Sequence, residues 1–131
     1  METIKYGIGL SIGAFIALIG GWDVNIEVLL IIMGLDVITG VVRAAKQKDI
    51  ASTAAFDGIV KKFIILTLVV LSYQGSRLIG DNVLRNTTIY SFCFTEGVSV
   101  MENAAAMKVI VPESLWAFFR QTAKKKFKDE P

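Results

Sequence analysis

The stretch Ile26-Glu-Val-Leu-Leu-Ile-Ile-Met-Gly-Leu-Asp-Val-Ile-Thr-Gly-Val-Val42 decides the fold. Apart from Glu27 at its edge and Asp36 inside, it carries no charge. A soluble helix of this length would show apolar residues on one stripe and polar ones opposite, and this run is apolar nearly all round. A helix needs roughly 20 residues to cross a ~30 Å hydrocarbon layer. The run comes close, and it is not alone.

Three more apolar blocks flank it: Tyr6 to Trp22, Phe63 to Ile79, and one that starts near Ile89 and fades between Met101 and Val111. The expectation is an all-α integral membrane protein with four transmembrane helices over about 6–22, 26–42, 63–79 and 89–108. A basic tail follows at 112–131, all within a single domain of 131 residues. The blocks are slightly short, and snorkelling of Lys5, Lys62 and Arg77, or local thinning of the bilayer, covers the difference. Lys5 ahead of an apolar core also fits a signal peptide. No pair of small residues follows that core at the required spacing, because Leu18 precedes Gly20 by two and Ile19 precedes Gly21 by two. The first block is therefore read as a retained helix.

Hydrophobic residues make up 53% of the chain and charged residues 20%, with a formal net charge of +2, too small to argue for nucleic acid. The placement of charge says more. Arg43, Lys46, Lys48, Lys61 and Lys62 fall in one interhelical segment, and Lys108, Arg120, Lys124, Lys125, Lys126 and Lys128 fall at the C-terminal end. The turn Trp22–Asn25 has no cation, and the loop Gly80–Thr88 has only Arg85. Basic segments stay in the cytoplasm. Four crossings with both termini cytoplasmic satisfy that rule; three would leave a basic segment outside or a block lying flat. The single cysteine, Cys93, reads as a buried inert thiol. With no histidine, the usual zinc ligand set is missing and no cofactor is expected. Nothing resembles a phosphate loop or a catalytic dyad, so the chain is read as no enzyme.

Several features bear on function. Gly9, Gly13, Ala17 and Gly21 form a small-residue ladder for close helix packing, within the chain or against a neighbour. Asp36, Thr39, Gly40 and Arg43 share one helix face. A carboxylate at the depth of Asp36 must face helices or water, where it lines an aqueous path, sets an assembly contact or merely fixes packing. In the fourth block Ser91, Thr95, Glu96, Ser99, Glu102 and Asn103 fall in an arc of roughly 140°. That arc suits an oligomer interface or a water-filled lumen, unless this end of the block lies outside the membrane. Pro112 opens a last helix in which Trp116, Phe119, Ala123 and Phe127 make an apolar stripe. With Arg120, Lys124, Lys125, Lys126 and Lys128 beside it, this helix reads as amphipathic and membrane-surface, or as a solvated tail.

The run Gly34-Leu-Asp-Val-Ile-Thr-Gly40 before a Lys/Arg-rich turn resembles a signature of the phage holin family associated with phage lysis and clostridial toxin secretion. So do Ser52, Gly58-Ile59-Val60-Lys61-Lys62, Glu96-Gly97-Val98-Ser99-Val100-Met101-Glu102-Asn103 and Val111-Pro112, in that order, across about Ile26 to Leu115. The resemblance implies homo-oligomers in the bacterial cytoplasmic membrane. They open timed lesions through which a cell-wall hydrolase, or a toxin, escapes without cofactor or ATP. From the residues alone, a small ion channel or transporter subunit and a non-pore membrane scaffold stay open.

Overall fold

The computed structural model describes residues 1–48 and 52–128, and for residues 52 and 121–128 the backbone only. Among the described residues the regular structure is all helical: α1 (Glu2–Leu18), α2 (Val24–Lys46), α3 (Ser52–Ile79), α4 (Val83–Ala106) and α5 (Glu113–Lys128).

Turn chemistry sets the ends. Gly20 and Gly21 take φ of +94° and +92°, values that L side chains rarely adopt, so α1 stops at Leu18 instead of reaching Trp22. Asp23 then caps α2 by accepting the Ile26 N–H at 3.0 Å. The segment between the second and third apolar blocks is mostly taken up by the ends of α2 and α3, where alanines favour helix. At the far end of α3, Gly80 has φ +89° and returns its N–H to Ser76 O at 2.8 Å. α4 begins well before the apolar block at Ile89. Its early polar residues turn their hydroxyls onto the helix itself, Thr88 Oγ1 donating to Leu84 O at 2.8 Å.

The core is a three-helix seam. Ile26, Leu29 and Met33 of α2 pack with Ile65 and Val69 of α3 and with Ile89 and Cys93 of α4, and Ile19 closes the top. α4 lies between α2 and α3 and also carries α5. α1 touches α3 and buries none of its residues, so it stands beside the seam instead of contributing to it. Many large apolar side chains point outward, including Ile31, Val41, Phe63 and Leu71. Outward Val, Ile and Leu around a narrow seam suit lipid as the solvent. By length and composition, α2 is the one described helix long and apolar enough to cross a membrane. α1 has 17 residues, and α3 and α4 carry charges along their length.

The Ile19 end of the seam is tied by Arg85, expected from sequence as a loop cation but placed in the first turn of α4 and 1% exposed. Its Nε donates to Ile19 O at 2.6 Å and its Nη1 to Asp23 Oδ2 at 2.7 Å, while Nη2 reaches Gly21 O at 3.3 Å. Its backbone N–H donates to Ser76 Oγ at 2.9 Å. One side chain thus holds the end of α1, the cap of α2 and the start of α4. Burial pushes the Asp23 carboxyl up. The hydrogen bonds from Arg85 and the Ile26 N–H, with the Arg85 charge, outweigh it and leave the group below its usual 3.8. A value lowered on folding stabilises above the unfolded pKa, and that contribution is lost as pH falls through the acidic range beneath it. Asp23→Ala, which removes cap and ion pair, should lower the unfolding temperature in detergent more than Asp23→Asn, which keeps a capping oxygen worth about 1 kcal/mol. Circular dichroism melts should show the gap between wild type and Asp23→Asn narrowing from near pH 7 to about pH 3.

Candidate functional site: an ion-paired centre between three helices

The seam changes character toward its other end. On α2 the inward positions run Ile26, Leu29, Met33, Asp36, Gly40, Arg43, in alternating steps of three and four. On α3 the same spacing gives Lys62, Ile65, Val69, Ser72, Ser76, and on α4 it gives Arg85, Ile89, Phe92, Glu96 and, further on, Asn103. This is the repeat of a left-handed helical seam. Its middle is apolar, and Asp36, Lys62 and Glu96 meet on its inner side.

Lys62 Nζ lies 2.6 Å from Asp36 Oδ2 and also pairs with Glu96 Oε2. Glu96 is fully buried, and the Lys62 and Asp36 side chains are 15% and 17% exposed. Lys61, at the rim, stands 3.9 Å from Glu96 Oε1, and that oxygen has no hydrogen-bond partner among the described residues. Two carboxylates thus face one half-buried ammonium, with a second cation just outside. Next to them, Asn103 Nδ2 donates to Asp36 Oδ1 at 3.2 Å and to Thr39 Oγ1 at 3.0 Å. Arg43 Nη1 donates to Asn103 Oδ1 at 3.2 Å. Gly40 lies beside Asn103, where a Cβ would stand at ordinary contact distance, 3.7 Å.

The structure gathers Asp36, Thr39, Gly40, Glu96 and Asn103 into one centre. It leaves out Glu102, which is exposed, and Ser99, which is half-buried and outside the network. Helical rotation explains the split. At about 100° per residue, Asn103 falls nearly in line with Glu96, while Glu102 is turned away by about 120°. The arc expected on the fourth block is therefore not one surface. Lys62 was expected to snorkel at a helix start; α3 begins earlier, at Ser52, and the seam spacing turns Lys62 inward. That spacing, read through Ile65 and Val69, was the available signal. Among the ladder residues, Gly9, Gly13 and Gly21 have open space where a Cβ would stand, and Ala17 is exposed. In α5, Phe119 packs on Gly97 of α4, and Arg120 lies over the Trp116 ring at 4.0 Å. Lys124, Lys125, Lys126 and Lys128 lie outside the described side chains. No group of carboxylates and thiols suited to a metal ion occurs among the described residues.

A narrow helical seam with an apolar outside and ion pairs at both ends suits a class of small helical membrane proteins. Over residues 13–124 the chain matches the bacteriophage holin family, and it belongs to that family. It is 36% identical over 129 residues to an uncharacterized 14.9 kDa protein of the nagH 3′ region in Clostridium perfringens, covering 96% of this chain and 97% of the relative. It is 35% identical to the uncharacterized protein Lmo0128 of Listeria monocytogenes, covering 88% of this chain and 84% of the relative. A probable holin of Bacillus phage phi105 is 31% identical over 88 residues, 66% of this chain and 65% of that protein. No solved structure matches. The chain is a membrane protein of the holin family.

Removing Lys62 leaves two like charges facing each other with only the exposed rim cation Lys61 beside Glu96. Lys62→Met should cost about 3–5 kcal/mol in unfolding by denaturing detergent. Glu96→Gln, which leaves Lys62 paired with one carboxylate, should cost clearly less. Equal losses would show that the bridge is absent in the folded protein.

Proposed function

We propose that the chain is a holin. It is not a catalyst: it gathers with copies of itself in the bacterial cytoplasmic membrane, opens lesions at a set time and lets a cell-wall hydrolase, or a toxin, leave the cytoplasm. The observation that carries this reading is the Lys62–Asp36–Glu96 centre, set in a seam whose outside is apolar, in a chain of the holin family. Four crossings, α1 to α4, with both termini cytoplasmic, put the Arg85 cluster at the outer surface and the cation-rich ends of α2 and α3 inside.

In the resting protomer Lys62 offsets the charges of Asp36 and Glu96, which lowers the cost of holding them among apolar helices. Opening the seam separates them. The freed carboxylates and ammonium then need water or the matching groups of other protomers, because lipid provides neither. Lateral assembly with seams open toward a common lumen meets that need. The unoccupied ladder of α1 supplies a close-packing edge toward a neighbouring copy.

Two measurements test this. Asp81→Cys, in a Cys93→Ala background, should react with an impermeant thiol reagent applied outside intact cells; protection from it contradicts the four-crossing arrangement. On induced expression, a cytoplasmic reporter enzyme should leave the cells suddenly after a delay. Asp36→Asn and Glu96→Gln should shift the onset, and Glu102→Gln, outside the centre, should not. Loss of membrane potential without enzyme release would mean a narrow channel. No change in permeability would mean a scaffold.

A further inference from the structure

Gly97 follows Glu96 on α4, is buried, and has no side chain because the Phe119 ring of α5 takes the space a Cβ would need. Phe94 of α4 joins the contact. Its ring centroid lies 5.7 Å from that of Phe118 and 5.9 Å from that of Phe119, and the latter two are 5.1 Å apart in an edge-to-face arrangement. α5 therefore turns back on α4 after a short connection and covers it next to the ion-paired centre.

With α4 crossing the bilayer as proposed above, on which this inference rests, that position conflicts with the sequence that follows. Gly97 lies nine residues, about 14 Å, from the inner end of α4 at Ala106. A helix that turns back along α4 to reach Gly97 carries its later residues toward the middle of the bilayer. The sequence there reads Arg120, Lys124, Lys125, Lys126 and Lys128. Cations in hydrocarbon are costly, whereas an amphipathic helix with this composition is attracted to an anionic lipid surface. Both positions use Phe119, so one excludes the other.

We infer that α5 is an exchangeable strap: its Trp116–Phe119 face closes over Gly97 of α4 or lies on an anionic lipid surface, and anionic lipid draws it off, uncovering α4 beside Glu96. The test uses the full chain with Trp22→Phe, which leaves Trp116 as the reporter. The protein is reconstituted in vesicles of phosphatidylcholine alone or mixed with phosphatidylglycerol, each with brominated lipid carrying bromine at shallow or deep positions. Adding phosphatidylglycerol should move Trp116 quenching severalfold from deep to shallow bromines, and high salt should reverse it by screening the attraction. Phe119→Ala, which leaves α4 untouched, should make the shift occur at a lower phosphatidylglycerol fraction, because no docked state competes. Gly97→Val should do the same; if that variant does not insert, Phe119→Ala carries the comparison. Quenching independent of lipid charge, or a phosphatidylglycerol dependence unchanged in Phe119→Ala, overturns the strap. Protection of Asp81→Cys from the impermeant reagent would instead overturn the crossing arrangement, whatever Trp116 does.

Discussion

An ionised carboxylate held among apolar helices needs a cation or hydrogen-bond donors at contact distance, and here one ammonium meets two carboxylates. Lys62, from α3, reaches Asp36 on α2 and Glu96 on α4, so a single side chain fixes the relative rotation and height of three helices. A buried bridge of this kind adds little net stability over a well-packed apolar seam of the same volume. What it does is make one arrangement far better than its neighbours. A shift by one residue in any of the three helices would turn a charge into lipid, where it has no partner.

The rest of the protomer arranges itself around that constraint. The apolar middle of the seam, from Leu29 and Met33 to Val69 and Ile89, separates the inner ion pairs from the outer Arg85 cluster. The outer cluster ties chain ends: carbonyls of Ile19 and Gly21, the Asp23 cap and the Ser76 hydroxyl. The inner centre ties helix faces and stands beside the cation-rich ends. The two clusters therefore differ in what opening them would do. Loss of the outer one frees α1 and frays helix ends. Loss of the inner one leaves the seam with exposed charge that only water or other protomers can satisfy.

Much of this was legible in the sequence. The unbroken Ile26–Val42 run shows a membrane helix without any tertiary context, and the order of motifs from Gly34 to Pro112 carries the family. Asp36, Glu96 and Asn103 stand out because polar groups in apolar blocks need partners. What the sequence did not show is which partner. Lys62 stood at the edge of an apolar block, and block edges are not helix ends: α3 starts at Ser52, so Lys62 lies well inside it. Arg85 was hidden for the same reason, since α4 starts at Val83, before the apolar block at Ile89. Nothing local showed that Phe119 would seek Gly97, because a long-range contact between a ring and a missing side chain leaves no periodic trace. The ladder of α1 was visible, yet its partner was not, and the protomer offers it none among the described residues.

The account stands on Lys62 bridging Asp36 and Glu96 within the membrane-embedded protein. Solid-state NMR on the full chain in lipid bilayers, with ¹⁵N-labelled lysine and ¹³C-labelled aspartate and glutamate carboxyls, measures that contact directly. The account requires dipolar coupling from one lysine ammonium to both an aspartate and a glutamate carboxyl carbon, with the aspartate coupling vanishing in Lys62→Met and the glutamate coupling falling to the weaker contribution of Lys61 at the rim. An ammonium coupled to neither, or an aspartate coupling that survives the substitution, would contradict it.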